Sequence, residues 1–303
     1  MSRLILVYNP NSSNFKRVKK DILDDRQKIF QNYELDEYTI KKIGFNTNVQ
    51  NLQKIIKDGD TLLAAGGDAT AAITANAILH SKKNARLAVL PYGNFNDLAR
   101  TLGTMKLNNI DFGSKSINLY PLEIYVDGQF WRYATCYVTI GMTAEAVELF
   151  DEPKFRKYMQ KGHKSSWRSY LALAKWYFKN RHQKIFLPEF TINSKKTVRH
   201  ASDYAALSGK SMCRVMKGGE DFKKPKIFRS KALKTISFPR LFCLMAKSIL
   251  FRTPGDETTG DVLEFKTPAT VELQAEGEYQ TFKDIKKIEV KKGDKCLKVI
   301  MKN

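Results

Sequence analysis

The first hundred residues switch between two hydrophobic periods. Leu4-Ile5-Leu6-Val7-Tyr8, Thr61-Leu62-Leu63-Ala64 and Arg86-Leu87-Ala88-Val89-Leu90 are short, continuous apolar runs. Such runs suit strands buried on both faces of a parallel sheet. Between them, Val18, Ile22 and Leu23 recur at helical spacing within residues 15–29, residues 49–56 read as a helix, and residues 71–79 form an alanine-rich helical stretch. Residues 33–39 alternate like a strand. This alternation predicts a doubly wound α/β domain over residues 1–116. From about residue 117 the texture becomes strand-like. Residues 119–126 and 129–140 flank Asp127-Gly128, a hairpin turn dipeptide, and further runs follow at 184–192, 200–207, 263–266 and 270–273. We read a β-rich, sandwich-like second domain over 117–284. Residues 285–303 read as a C-terminal hairpin, 288–290 with 297–301, that returns to the first domain.

Three of the apolar runs stop at loops rich in Gly, Asn, Ser and Asp. These are Asn9-Pro10-Asn11-Ser12-Ser13, Ala65-Gly66-Gly67-Asp68-Ala69-Thr70 and Pro91-Tyr92-Gly93-Asn94-Phe95-Asn96-Asp97. In a parallel α/β sheet these loops share the carboxyl edge, where ligands bind. Glycines there let a backbone approach a ligand, and the helix that follows turns free N–H groups and a positive dipole end to the same place. The pattern therefore suits phosphate, with Asp68 placed to reach a metal ion on it. An ordinary strand–turn–helix with glycine at the bend reads equally well from this stretch alone. Asn96 or Asp97 is the expected N-cap of the helix after the third loop.

Charge changes the picture next. The chain has 303 residues, 52 Lys and Arg against 31 Asp and Glu, and a formal net charge of +21. Such a field attracts polyanions or anionic surfaces. It is concentrated: between Pro153 and Pro188 there are ten basic residues and no acid, and between Phe222 and Gly255 nine and no acid. Trp167, Tyr170, Trp176 and Tyr177 interleave the first stretch, and Phe238, Phe242 and Phe251 the second. Basic amphipathic helices with aromatic rings suit an anionic membrane, so residues 154–184 and 223–252 are the expected membrane-facing segments. No RNA- or DNA-binding motif is visible, which ranks nucleic acid below the membrane as partner. The four cysteines lie far apart with no CxxC pair, arguing for reduced thiols rather than a disulfide framework or a zinc site. No signal-peptide layout or membrane-spanning run is present, so the expected location is cytoplasmic with peripheral membrane contact.

Taken with their order and spacing, the motifs resemble the diacylglycerol kinase catalytic domain family. Asn9-Pro10, Gly66-Gly67-Asp68-Ala69-Thr70 and the segment Pro91 to Arg100 resemble its three signatures. Ile140-Gly141-Met142-Thr143-Ala144-Glu145-Ala146-Val147 is similar to its GFDAEV segment, and Gln274-Ala275-Glu276-Gly277-Glu278 stands where the family has a VDGE turn. The resemblance implies an ATP- and Mg²⁺-dependent lipid kinase acting on diacylglycerol or a related lipid, in a family whose members often form homodimers. It implies a nucleotide cradle from Asn9, Pro10, Asn11, Ser12, Ser13, Gly66, Gly67, Asp68, Ala69, Thr70 and Asn94. Asp68 would serve the metal, Asp97 would take part in catalysis or metal binding, and Glu276 would be the general base. The chain departs from the pattern at Ala69 (usually Gly), Asn94 (usually Thr), Ser13-Asn14 (usually Gly-Lys) and Glu276 (usually Asp). The stretch Lys217 to Ser230 lacks the acidic segment that holds a structural metal in some members, so no Mg²⁺ is expected there. Ala69 and Glu276 keep an alternative open: a catalytically weak or inactive relative that senses nucleotide or acidic lipid.

Overall fold

The computed structural model describes residues 2–12, 14–145, 187–212, 216–234 and 255–302, with the single residues 171, 175 and 243. The chain divides into two compact units, Met1–Pro121 with Lys295–Asn303, and Leu122–Asp294.

The first unit is an α/β domain built on a six-stranded mixed sheet. Its strands are β1 (Arg3–Tyr8), β2 (Glu34–Thr39), β3 (Thr61–Gly66), β4 (Arg86–Pro91) and β5 (Ile117–Leu119), with the chain's last strand, Leu297–Val299. Their spatial order is β2-β1-β3-β4, then the last strand, then β5. All neighbours are parallel except β5, which runs antiparallel to the last strand. Leu4 to Val7 and the whole of β3 are buried, as strands covered on both faces must be. The edge strand β2 is acidic and largely exposed, which blunts an open edge. Helix α4 (Asp68–Ser81) is buried along Thr70 to Leu79, and its small alanines let it lie close to its neighbours. The stretch expected as one helix over 15–29 is instead two four-residue turns, α1 (Phe15–Val18) and α2 (Arg26–Ile29), joined by a wider turn at Lys19–Leu23. Its buried residues Val18, Ile22 and Leu23 still reach the core. Helix α3 spans Phe45–Gln53, starting four residues before the apolar pattern suggests, and α5 spans Asp97–Leu102.

The second unit is β-rich. A ten-stranded network runs through β6 (Leu122–Val126), β7 (Gln129–Ala134), β8 (Tyr137–Gly141), β9 (Phe190–Ile192), β10 (Lys196–Val198) and β11 (Ala201–Leu207). It continues through β14 (Phe228–Lys234), β15 (Asp256–Thr258), β16 (Gly260–Ala275) and β17 (Glu278–Lys291), while β12 (Ser211–Met212) and β13 (Met216–Lys217) pair separately. Asp127-Gly128 makes the expected tight turn, with φ of 46° and 80°. The runs 263–266 and 270–273 join into the single strand β16, whose register shifts between Glu264, Ala269 and Val271 take up Pro268 as bulges. The core of this unit gathers Ile124, Val138, Ile140, Tyr204, Phe228, Leu273 and Ile288 among others.

Two expectations are corrected here. Residues 288–290 and 297–301 do not form a hairpin: β17 pairs with β16 and β6, whereas the last strand pairs with β4 and β5. The chain crosses between units near Asp294, so only Lys295–Asn303 returns. Second, the opening part of the basic stretch 223–252 is not an amphipathic helix. Phe228, Ser230 and Ala232 alternate with Arg229, Lys231 and Leu233, a two-residue period, and the segment forms β14 between β11 and β15. The rest of that stretch apart from Cys243, and the stretch 154–184 apart from Leu171 and Lys175, lie outside the described residues. Among the described residues no helix is long and apolar enough to cross a membrane.

Candidate active site

β1 leads to β2 on one side and the chain then crosses to β3 on the other, so the sheet reverses between β1 and β3. Ligands in open α/β sheets bind in the crevice at the carboxyl end of such a reversal. The loops after β1 and β3 flank it, and the loop after β4 lies next in line because Gly66 is in register with Pro91. The Tyr92 N–H donates to the Gly66 carbonyl at 2.9 Å, which ties the second and third loops together.

The glycines expected to admit a ligand serve packing within the protein. A Cβ on Gly93 would stand 2.4 Å from the Gly67 Cα, and one on Gly67 would stand 3.1 Å from the Gly93 Cα. The two loops therefore touch backbone to backbone. A Cβ on Gly66 would lie 2.3 Å from the Thr70 hydroxyl oxygen, so the missing side chain makes room for Thr70. Thr70 itself is buried under the turn.

Asp68 braces the third loop. Its carboxylate accepts the N–H of Asp97 at 2.7 Å and that of Asn96 at 3.0 Å. It thus caps α5 from another loop. Burial pushes its carboxyl above the usual carboxylate range, while those N–H groups and the Arg100 charge pull it down. Asn96 occupies the N-cap position of α5 in the left-handed region, φ 56°, a conformation Asn tolerates. Its side chain does not cap: Oδ1 accepts the Gly93 N–H at 2.7 Å and Nδ2 donates to the Gly93 carbonyl at 2.8 Å. Asp97, at the first position of α5, is buried. Arg100 Nε donates to the Phe95 carbonyl at 2.8 Å, closing the loop from the far side.

Some groups remain for a ligand. Gly67, as N-cap of α4, supplies no side chain to the helix's leading N–H groups, the arrangement that receives phosphate. In the loop after β1, Asn9 Oδ1 accepts the Asn11 N–H at 2.9 Å and holds the loop in a turn. Beside it the Ser12 hydroxyl oxygen is buried and has no hydrogen-bond partner among the described residues. Asn94 is half-buried in the third loop, and Pro10 and Asn11 are exposed. Ala69 lies in helical backbone inside α4, with no positive φ. Ser13 lies outside the described residues.

Glu276 belongs to the second unit. It is 3% exposed, at the two-residue turn between β16 and β17. Glu276 and Gly277 have φ of 53° and 90°, the left-handed pair of a tight hairpin turn, which a Glu adopts at a cost. Its Oε1 accepts the Cys136 N–H at 2.5 Å and the Thr135 hydroxyl. Arg132, also buried, feels the charges of Glu278 and Glu276, although burial brings its pKa down to about 10. No local pattern marks Thr135, Cys136 or Arg132, because their part depends on β7 and β8 meeting a turn some 140 residues away.

The segment around Gly141 brings a further acid to light. Gly141, φ 99°, ends β8, and a Cβ there would meet the Ser202 carbonyl at 2.7 Å. Thr143, two residues on, hydrogen-bonds Asp203 through its hydroxyl. Burial drives Asp203 up to about 8 against the opposing Thr143 bonds. In the region that lacks the acidic segment, Lys292 is buried and donates to the carbonyls of Asp221, of Lys224 at 3.0 Å and of Ile227 at 3.0 Å. Among the described residues, no group of three or more His, Cys, Asp or Glu is placed to hold a metal ion.

Residues 3–120 match the model of the diacylglycerol kinase catalytic domain. A diacylglycerol kinase of Staphylococcus epidermidis (strain ATCC 35984) is 35% identical over 102 residues, which is 33% of this chain and 31% of that protein. One from Staphylococcus carnosus is 30% identical over 102 residues, 33% of this chain and 32% of its own. The aligned part thus spans about a third of the length of these relatives. A solved structure of a diacylglycerol kinase from Bacillus anthracis superposes over 99% of this chain and 97% of its own, with a TM-score of 0.60 at 11% identity, and so shares the fold.

Proposed function

We propose that this chain, whose residues 3–120 belong to the diacylglycerol kinase catalytic domain family, is an ATP-dependent lipid kinase. It transfers the γ-phosphate to a hydroxyl of diacylglycerol or a related lipid at a membrane surface. The observation that carries this reading is the trio of loops after β1, β3 and β4 at the sheet's reversal, the last two locked together by Asp68, which accepts from Asn96 and Asp97. Phosphoryl transfer asks mainly for positioning and charge stabilisation, and this lock fixes the positions in advance.

The residues present fit a nucleotide. The leading N–H groups of α4 and the buried, unpartnered Ser12 hydroxyl are donors for phosphate oxygens. Asn9, Pro10 and Asn11 shape the loop that carries Ser12, while Gly66, Gly67 and Thr70 set the path of the turn. Mg²⁺, when bound with the nucleotide, neutralises phosphate charge. Asp68 is the carboxylate of this unit that would face it, and a desolvated carboxylate gains from a cation. Asp97 holds the start of α5 beside it. Glu276 takes the base role: with Oε1 fixed by Thr135 and Cys136, its carboxylate receives the proton of the attacking lipid hydroxyl. The lipid belongs to the β-rich unit in this reading, and the basic residues of 154–184 and 223–252 face anionic headgroups.

One observation favours the weaker alternative of a nucleotide or lipid sensor. Glu276 holds a left-handed backbone that disfavours it and is one methylene longer than the family's Asp. The test is Mg²⁺-dependent transfer of labelled γ-phosphate from ATP to diacylglycerol in mixed micelles with anionic lipid, alongside Glu276→Gln. Transfer that falls at least ~100-fold in the variant supports the kinase with Glu276 as base. Bound ATP with no transfer to diacylglycerol, monoacylglycerol, ceramide or sphingoid bases makes the sensor reading the correct one.

A further inference from the structure

Helix α4 begins at the candidate nucleotide loops and ends, fourteen residues on, at the opposite edge of the same sheet, about 21 Å away. A cavity of about 200 Å³ opens there, lined by Lys82, Lys83, Lys295 and Lys298 with Asn84 and Cys296 over an apolar floor. No carboxylate is among its lining residues. Lys82 and Lys83 follow α4 directly, while Lys295 and Lys298 come from the returning C-terminal segment, so two distant stretches of chain bring their charges to one place.

Among the described residues the nearby counter-charge is small. Asp58 lies 3.5 Å from Lys83 and accepts the Asn84 N–H at 2.7 Å, which balances one lysine and shows that a carboxylate is welcome at this corner. Lys298 donates to the neutral Asn84 Oδ1 at 2.7 Å. His80, in the last turn of α4, is held below its usual pKa by burial and then by Lys295, and an imidazole supplies no counter-charge to these lysines. The carboxyl end of α4 accounts for part of the attraction, at roughly half an elementary charge. Among the described residues no carboxylate pairs with Lys82 or Lys298, so the charges of these two remain for a ligand. At about 30 Å³ per water, its volume holds roughly six waters or a small phosphorylated group. Ammonium groups act as point charges rather than as the planar fork that matches a carboxylate, so they favour a compact, multiply charged anion.

We propose that this cavity is a second anion site, for a phosphate monoester or pyrophosphate group, distinct from the nucleotide loops at the other end of α4. Cys296 is a free thiol in its lining and reports occupancy directly. The experiment measures the rate of Cys296 alkylation by iodoacetamide in the full chain, read by mass spectrometry of the Cys296 peptide. One arm titrates pyrophosphate; another adds phosphatidylcholine vesicles with and without phosphatidate; sodium chloride at matched ionic strength is the control. We expect saturable slowing of at least fivefold by pyrophosphate, by phosphatidate vesicles, or by both. The arm that protects identifies a free or a lipid-borne phosphate as the source. The double substitution Lys82→Gln with Lys298→Gln, checked for unchanged thermal unfolding, should abolish the protection. Slowing no greater than in sodium chloride, or equal slowing in the double variant, would overturn the proposal. This outcome is independent of kinase activity, because the readout is local to Cys296.

Discussion

The contact between Gly67 and Gly93 gives the sharpest quantitative test of the site's construction. In Gly93→Ala the new methyl would stand 2.4 Å from the Gly67 Cα, where carbon atoms rest at about 3.5–4.0 Å. The obstacle is backbone, so one loop must retreat by more than about 1 Å. Gly93 has no positive φ, so the whole effect is steric. Overpacking of this kind costs about 1–3 kcal/mol, and the stiffer unfolded chain returns about 0.4–1 kcal/mol. A net loss near 1.5 kcal/mol lowers Tm by roughly 6 °C for a unit of this size. The retreat also breaks the paired hydrogen bonds between Gly93 and Asn96, at 2.7 and 2.8 Å, and with them the path of the third loop. ATP affinity should therefore fall by at least ~10-fold, since one misplaced hydrogen-bonded loop is worth ~1.4 kcal/mol or more. Differential scanning fluorimetry and nucleotide titration measure both effects. Gly113→Ala is the control, because its methyl would meet only the Asp111 side chain at 3.2 Å. If Gly93→Ala melts within 1 °C of the parent and binds ATP equally (~1 °C being the resolution set by 0.2–0.3 kcal/mol), the two loops are not packed as described.

Other residues give independent expectations. Asp68→Ala strips the N–H groups of Asn96 and Asp97 of their acceptor and should cost about 1–2 kcal/mol in thermal melts, the scale of a lost helix cap. Asp203, raised to about 8, holds a proton in the folded chain that the unfolded chain has already released above pH 4. Its contribution is therefore fully present at low pH and lost as pH rises to 8, by several kcal/mol at most (about 1.4 per pKa unit). In Asp203→Asn that dependence should vanish, so urea midpoints of the two proteins at pH 5 and 8.5 should diverge; parallel changes would count against it. Lys292→Met leaves the carbonyls of Asp221, Lys224 and Ile227 without a donor and should cost about 2–3 kcal/mol by urea unfolding, whereas an unchanged midpoint would mean water replaces the ammonium.

Much of the first unit was readable because its signals are local. Leu4 to Tyr8, Leu62 to Ala64 and Leu87 to Leu90 are unbroken apolar runs, and a parallel strand with both faces covered leaves that trace. The loops at their ends are equally local, which is why Gly66, Gly67, Asp68, Gly93 and Asn96 could be singled out by residue type. What those residues do to one another was not readable. The acceptor that Asp68 offers is taken by α5, and that depends on β3 and β4 lying side by side. The reason for the glycines was likewise hidden: a sequence shows that a Cβ is missing, not which atom occupies its place. In the second unit the two-residue period of β14 lies inside a basic run whose charge density masks it. Proximity in sequence points the last strand to β17, while its hydrogen bonds go to β4 and β5, far away along the chain.

The two substitutions that kept a catalytically weak relative in contention now carry unequal weight. Ala69 mattered only if its position required a positive φ, and it lies in the first turn of α4 with helical backbone. There a methyl is at home, and alanine is the better helix former by about 1 kcal/mol. Glu276 is the reverse case. Its φ of 53° is one that Asp or Asn accepts more readily than Glu, yet the longer side chain reaches the Thr135 hydroxyl and the Cys136 N–H. Two opposing consequences follow for Glu276→Asp: relief of the turn and retraction of the carboxylate by about 1.5 Å, the length of one carbon–carbon bond. If Oε1 is anchored so that the carboxylate can act as base, Glu276→Asp should melt no lower than the parent yet lose activity. Should the shorter acid instead raise the transfer rate, the anchoring by Thr135 and Cys136 holds Glu276 away from its work, and the parent chain is a kinase slowed by its own turn.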